Sequence, residues 1–475
     1  MIYELSMWSL AIVAINLSIA IAAICTFRLL FGLLAGVNTT VELAEKDNYA
    51  FGITFAGGAG ALGLILSAAV TGDAAVNLLN EAFNVLTYAV AGIALLKVGS
   101  MINDYIIFHK VSLKTAIADH QLAAGFVQAS NFLALGLIIS STVNWVEYET
   151  WRGLPSVLML FFGSQCILLL ITRLRAAVYR RRHQGESLPL AIVAINLSIA
   201  IAAICTFRLL FGLLAGVNTT VELAEKDNYA FGITFAGGAG ALGLILSAAV
   251  TGDAAVNLLN EAFNVLTYAV AGIALLKVGS MINDYIIFHK VSLKTAIADH
   301  QLAAGFVQAS NFLALGLIIS STVNWVEYET WRGLPSVLML FFGSQCILLL
   351  ITRLRAAVYR RRHQGESLQQ AIVAGNTALA IRYSGHLLGT ALAMTAGASL
   401  VEYYQAEPLL SVAYWLGAGT SLALLLPALA LIARKAILLK INVAEEVDEQ
   451  ENIGVAAIEA VIYIAVALLL IGVLA

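Results

Sequence analysis

Long apolar runs joined by short polar connections fill most of the chain. A helix needs about 20 residues to cross a hydrocarbon core of roughly 30 Å, and many of the runs reach that length. In the N-terminal part they fall at Leu10 to Leu34, Tyr49 to Val70, Ala82 to Asn103, Gln121 to Val143 and Gly153 to Thr172. The same series recurs between Leu190 and Thr352, and further runs follow at Asn376 to Leu400, Leu409 to Ala433 and Ile453 to Leu474. The pattern predicts an all-α, polytopic transmembrane helix bundle of about 13 candidate spans, because helices satisfy every backbone group internally in lipid. The alternating ten-residue segments of a membrane barrel do not occur.

The recurrence is an identity. Leu10 to Leu188 returns as Leu190 to Leu368 without one substitution, so distinct information resides in that block and in the tail Gln369 to Ala475. The expected domains are a first four-helix unit over 1–145, a fifth span with a basic loop over 146–189, a copy of the first unit over 190–325, and a second four-helix unit over 326–475. Loop charges orient the chain. Lys110, Lys114, Arg173 to Arg182 and Arg434 to Lys440 fall on one side, and Asp73, Glu81, Glu147, Glu149, Glu402 and Glu407 on the other. By the positive-inside rule the basic loops are cytoplasmic. The repeated block holds an odd number of runs, so if all of them insert, the two copies lie in opposite orientation.

Composition agrees with a protein in lipid: 60% of residues are hydrophobic and 12% charged, against roughly 25% charged in soluble domains. A net charge of −3, with the arginines beside apolar runs, argues against nucleic acid as a partner. The cysteines Cys25, Cys166, Cys205 and Cys346 sit within apolar runs with neither metal-ligand nor disulfide spacing. The N-terminal MIYELSMWSL carries Glu4 and lacks a basic n-region and a cleavage site, so the first span is expected to stay. Metalloprotease, serine-hydrolase and P-loop motifs do not occur. The chain reads as no enzyme, with no catalytic, cofactor or metal residues.

Four distinct segments share a pattern at the start of a run. They read DNYAFGITFAGGAGA from Asp47, HQLAAGFVQASNFLA from His120, GNTALAIRYSGHLLG from Gly375 and ENIGVAAIEAVIYIA from Glu451. Each opens with a polar amide: Asn48, Gln121, Asn376 or Asn452. Nine positions on stands Gly57, Ser130 or Gly385, and a further small residue such as Gly389 lies four beyond. In the last segment Val461 replaces the small residue, which puts close packing there in question. An amide at the first turn caps free backbone N–H groups, and small residues four apart let helices approach closely in lipid. The alternative is that Asn48, Asn376 and Asn452 line a polar path. Gly58, Gly60 and Gly63 spell GxGxxG, but inside an apolar run without the strand and aqueous βαβ unit that a dinucleotide site requires.

These segments resemble the YjfL-like family of bacterial inner-membrane proteins, four-helix domains of unknown function whose second and fourth helices begin this way. The resemblance covers the first four runs and a second unit made of the fifth run plus the tail. It implies a multi-pass protein of the bacterial inner (cytoplasmic) membrane. Relatives are often found near phage-shock-protein-A-like membrane remodellers and polyamine-ligase-like enzymes, which implies a peripheral cytoplasmic membrane protein as a partner beside the lipid bilayer itself.

Few charges lie deep in the runs. Arg28 and Lys97 fall near cytoplasmic ends, where long side chains snorkel to the headgroups. Counted from the motif amides at about 1.5 Å per residue, Arg382, His386 and Glu459 lie roughly 9, 15 and 10 Å into the bilayer. Intramembrane charges are commonly paired or face a cavity; an Arg382–Glu459 ion pair is expected, with a conducting or proton-relay site as the alternative. Gln128, Asn131 and Gln165 are expected to bond across helices. Two function classes follow: a membrane scaffold or accessory subunit of an envelope system, and a small-solute or ion permease.

Overall fold

A computed structural model describes residues 7–71, 78–102, 104, 112–145, 155, 157–159, 161–162, 208, 212, 217–250, 258–326 and 333–474. Most of the fifth run of the first block, most of the repeated first run, Gln165 and Arg173 to Arg182 lie outside those residues. The long helices are α1 (Met7–Ala35), α2 (Tyr49–Val70), α3 (Leu78–Ile102), α4 (Leu122–Trp145), α5 (Tyr229–Val250), α6 (Leu258–Met281), α7 (Leu302–Trp325), α8 (Leu334–Arg362), α9 (Thr377–Thr395), α10 (Pro408–Ile437) and α11 (Ile453–Leu474). Among the described residues, 10 helices are long and apolar enough to cross a membrane, fewer than the expected 13. Two of the missing spans fall on undescribed segments. The third is α9, which is helical but not apolar enough for that set, because Arg382, Tyr383 and His386 interrupt it. Its expected run to Leu400 also breaks at Ala396, beyond which Gly397–Leu400 forms a separate turn.

The chain divides into two compact units, Glu4–Leu188 with Pro427–Ala475, and Pro189–Leu426 with Met1–Tyr3. In the first, α2 lies between α4 and α11. A Cβ on Gly125 would meet Ala50, one on Gly57 would stand 2.5 Å from Ala129 Cα, and one on Gly136 would stand 2.6 Å from Ala61 Cα. Both series ascend together, so α2 and α4 run parallel with their backbones nearly touching. Gly52 meets Gly454, Gly63 meets Ala465 and Gly472 meets Ser67, which makes α11 parallel to α2 on its other side. Ser67 Oγ donates to Leu468 O at 2.7 Å across that seam.

In the second unit α7 takes the middle place, between α5 and α9. Gly305 meets Ala230, Gly237 meets Ala309 and Gly316 meets Ala241, repeating the α2–α4 seam. Ser384 Oγ donates to Phe306 O at 3.2 Å, and Trp325 Nε1 donates to Val401 O at 2.5 Å, so α9 also runs parallel to α7. The identical copies thus occupy different places: in one the first motif helix is central, in the other the second. Lipid supplies no hydrophobic drive between helices, so close van der Waals contact through Gly and Ala holds these seams.

Candidate functional site: the motif helix starts and the intramembrane charges

A short helical turn leads into each motif helix. Val41–Glu45, Leu113–Ala118, Leu368–Val373 and Glu445–Glu449 precede α2, α4, α9 and α11. The residue just before each motif amide is left-handed: Asp47 (φ 48°), His120 (φ 62°), Gly375 (φ 117°) and Glu451 (φ 54°). At Gly375 this closes a Schellman cap, with Gly375 N–H donating to Ile372 O at 3.1 Å and Asn376 N–H to Ala371 O at 3.3 Å. His120 and Gln121 do the same at Ile117 O and Ala116 O. One turn therefore ends as the next helix begins, and the motif amide serves both.

The asparagines cap as expected. Asn48 Oδ1 accepts from Phe51 N–H at 3.0 Å, Asn376 Oδ1 from Leu379 N–H at 2.7 Å, and Asn452 Oδ1 from Val455 N–H at 3.1 Å. The glutamine does not: Gln301, the copy of Gln121, sits at the N-cap of α7 without a side-chain capping bond. Its extra methylene carries the amide past the N–H that asparagine reaches, in keeping with the cap preference for short side chains.

The free ends of these amides reveal partners that the sequence reading missed. Asn48 Nδ2 donates to Glu42 Oε2 at 3.0 Å and to Ile117 O at 3.1 Å, while Lys46 Nζ lies 2.7 Å from Glu42 Oε1. Asn228, Glu222 and Lys226 repeat that cluster in the copy. Asn452 Nδ2 donates to Glu446 Oε2 and to Asp47 Oδ1, each at 2.9 Å, and to Leu43 O, tying the start of α11 to the start of α2. The signal was in the chain: a glutamate stands six residues before Asn48, Asn228 and Asn452 alike.

The two glutamate environments differ in charge. Burial raises the Glu42 carboxyl, but the hydrogen bonds from Lys46 and Asn48 outweigh it and hold the group below the usual carboxylate range. Burial lifts Glu446 above that range, and Asp47 and Glu445 add to the shift against the bond from Asn452. Position 450, four beyond Glu446, holds Gln450 where the first cluster has Lys46.

Glu459 is buried and pairs with Arg434, Nη1 to Oε1 at 2.6 Å. That corrects the expected partner: Arg382 stands half-buried on α9 in the other unit, one turn from the half-buried His386. The sequence pattern puts Arg434 in a basic loop, but α10 continues through it to Ile437 and delivers it to the second turn of α11. Arg28 is buried as well. Its Nε and Nη2 bond Thr39 and Thr40 at 3.1 and 2.9 Å, and its Nη1 bonds Ile437 O, so it fastens α1 to the end of α10 instead of snorkelling. Gln128 bonds across to Ser100 Oγ at 2.6 Å, as expected, but the buried Asn131 amide nitrogen has no hydrogen-bond partner among the described residues.

Among the small motif residues, the glycines are the buried ones. Gly57 abuts Ala129, and Gly385 and Gly389 are buried on α9. Val461, the departure from the pattern, rests 3.4 Å from where a Gly60 Cβ would stand, so the missing side chain on α2 makes room for it. Gly58 receives the Phe27 ring and Gly63 receives Ala465, which accounts for the GxGxxG spelling by packing. Gln121 and Ser130 are exposed. In the second unit a cavity of about 290 Å³ is lined by Glu222, Lys277, Asp284, Lys294, Gln308 and apolar neighbours including Phe231. Among the described residues, no group of three or more His, Cys, Asp or Glu is arranged to hold a metal.

A bacterial relative, the UPF0719 transmembrane protein of Aquifex aeolicus (strain VF5), is 22% identical over 223 residues, covering 47% of this chain and 69% of the relative. No solved structure matches. The family described as Domain of Unknown Function (DUF350) matches at residues 5–143, 185–323 and 329–474, each match holding two motif helices. The chain is a multi-pass membrane protein of the DUF350 family, carrying three copies of its domain.

Proposed function

We propose that this protein is a non-catalytic membrane scaffold, an accessory subunit in the bacterial inner membrane that presents its cytoplasmic loops to a peripheral membrane protein. The observation that carries this reading is the α4–α2–α11 seam. Backbone meets backbone at Gly57–Ala129 and Gly52–Gly454, and the deep carboxylate of that unit, Glu459, is engaged by Arg434. A conduction path needs groups that replace hydration through the bilayer, and these seams are lined by Gly, Ala and Val. The narrower kinship to YjfL-like proteins, and the inner membrane as the site, rest on the four motif segments.

A permease is the second reading, favoured by the cavity that gathers Lys277 and Lys294 with Glu222 and Asp284. Liposomes containing the full chain separate the two. No selective flux of monovalent ions, phosphate or polyamines above empty vesicles is expected. Flux abolished by Lys277→Ala would overturn the scaffold and establish the permease.

A further inference from the structure

The cavity of the second unit has a charged end and an apolar end, both built within that unit. α5 and α7 begin, and α6 ends, around its charged end, where Glu222, Asp284 and Lys294 stand in the short helical turns beside them. Lys277 lies four residues before the end of α6, about 6 Å in at 1.5 Å per residue. Ile273 lies one turn deeper, and Phe312, ten residues beyond Leu302, is about 15 Å along α7. All three helices are long and apolar enough to cross a membrane. The charged end therefore falls at headgroup level and the apolar end within the hydrocarbon.

Most polar groups in the lining are already engaged. Glu222 Oε1 accepts from Lys226 Nζ at 2.7 Å and its Oε2 from Asn228 Nδ2 at 3.0 Å. Asp284 Oδ1 accepts the Leu293 N–H at 2.7 Å. Gln308 donates to Ser280 Oγ at 2.7 Å and accepts from Asn283 at 2.8 Å, and Thr234 Oγ1 donates to Ala230 O at 2.8 Å. The two ammonium groups differ: neither Lys277 nor Lys294 has a hydrogen-bond or ion-pair partner among the described residues. The charged neighbours of Lys277 are Lys294 and Asp284. With Glu222 neutralised by Lys226, the described lining sets two ammonium groups against one free-standing carboxylate and so keeps a surplus of one positive charge.

The entrance extends that character. Met281 and Tyr285, the lining residues where the cavity opens, are 46% and 69% exposed, and an amphipathic aromatic ring is at home at the membrane–water boundary. A shallower hollow shares Asp284 and Tyr285 and adds His289 and Lys290. Arg353 reaches its edge, donating from Nη2 to Ile286 O at 2.8 Å. The volume of about 290 Å³ stands at the lower limit of small-ligand sites; it accommodates a polar head and the start of a chain.

We propose that this cavity binds the head of an anionic phospholipid, with the phosphodiester between Lys277 and Lys294 and the first part of an acyl chain along Ile273 and Phe312. The single negative charge of a phosphodiester matches the surplus in the lining. The bilayer delivers the molecule, and the remainder of its chains stays in the hydrocarbon. The site requires only that the chain lie in a membrane, so it stands whether the protein scaffolds or conducts.

The test is native mass spectrometry of the full chain in detergent, titrated separately with phosphatidylglycerol, phosphatidylcholine and glycerol 3-phosphate. Phosphatidylglycerol should bind most tightly, because the choline of phosphatidylcholine brings a second cation to the lysines and glycerol 3-phosphate lacks the chain. A basic residue at an anionic membrane surface is worth about 1 kcal/mol, so Lys277→Gln and Lys294→Gln should each weaken phosphatidylglycerol roughly fivefold and together roughly 25-fold. The pair Lys277→Arg with Lys294→Arg should retain it. Lys294 is exposed, so Lys294→Gln alone reads the site without disturbing the fold, checked by an unchanged thermal midpoint in the absence of lipid. Equal affinity for the two lipids, or unaltered phosphatidylglycerol binding in Lys294→Gln and in the double glutamine variant, would overturn the proposal. Glycerol 3-phosphate binding as tightly as phosphatidylglycerol would also overturn it and assign the cavity to a soluble phosphate ester.

Discussion

Replacing Arg434 with glutamine should be far more damaging than replacing its partner. The side chain of Glu459 is 1% exposed and that of Arg434 30% exposed. Arg434→Gln strands a carboxylate where water cannot reach it, and breaking a buried pair in that way costs about 3–5 kcal/mol. Glu459→Gln leaves a guanidinium near the end of α10 that can swing its long side chain toward the headgroups, so the loss falls to about 1–3 kcal/mol, the range for an unsatisfied polar group. At roughly 2–4 °C per kcal/mol for units of this size, the first variant should melt on the order of 10 °C lower and the second only a few degrees lower. The double variant removes both charges and should recover most of the loss, since a buried pair is often worth little against neutral replacements. The assay is thermal unfolding in detergent, followed by tryptophan fluorescence and by size exclusion after heating. Losses that add within about 0.5 kcal/mol, or an Arg434→Gln variant as stable as the parent, would refute the reasoning.

Three further outcomes follow from the starts of the motif helices and the chain path. Asn48→Ala and Asn452→Ala should each lower stability by about 1 kcal/mol or more, and Asn452→Ala by the larger margin because, beyond the glutamate that each holds, it releases both Asp47 and Leu43 O where Asn48 releases Ile117 O alone; equal losses in denaturant unfolding would argue against the link between the starts of α2 and α11. The carboxyls of Glu42 and Glu446 shift in opposite directions, so their stability effects have opposite signs. A lowered folded-state value stabilises at pH above the ordinary carboxylate range and is lost on acidification through the lowered value, so Glu42→Gln should destabilise the chain at pH 7. A raised value stabilises only below the ordinary range and the effect is lost as pH rises through the raised value, so Glu446→Gln, or Gln450→Lys, should stabilise at pH 7, read as unfolding midpoints across pH 4 to 8. For the chain path, cysteines placed at the exposed Glu45 and Glu225 test the inverted copies expected from the odd number of runs, which label from opposite sides of the membrane. Labelling from the same side would reject that orientation.

That last expectation shows where sequence reasoning stops. Periodicity located α2, α4, α7 and α11 almost to the residue, because apolar length and a capping amide are local properties. The apolar criterion fails at α9, where Arg382 and His386 sit in a helix whose other residues are largely buried. The Glu459 partner was misassigned for a different reason. Arg434 lies in a basic cluster that reads as a topology signal, and nothing in the order of residues says that α10 extends far enough to bring it against α11. The glutamate six before Asn48, Asn228 and Asn452 was legible and passed over, since its spacing matches no familiar helix period and becomes meaningful only once the left-handed residue folds the turn back.

Identity between the copies makes the remaining limit explicit. Ser130 and Ser310 share every neighbour in sequence for many residues on both sides, yet one is exposed and the other buried. No reading of the local chain can distinguish them. What distinguishes them is which other copy supplies the next helix. Among the described residues, two seams join a second motif helix to a first motif helix of another copy. The helices of the 329–474 copy serve as the connectors, with α9 on α7 and α11 on α2. The duplication therefore places α2 and α7 between two motif helices each, while their counterparts α5 and α4 stand at the side of a unit. Small-residue faces gain little from lipid and much from a close helix, so identical helices acquire different burial, 83% against 50% and 78% against 44% over their most apolar stretches, without one residue being altered.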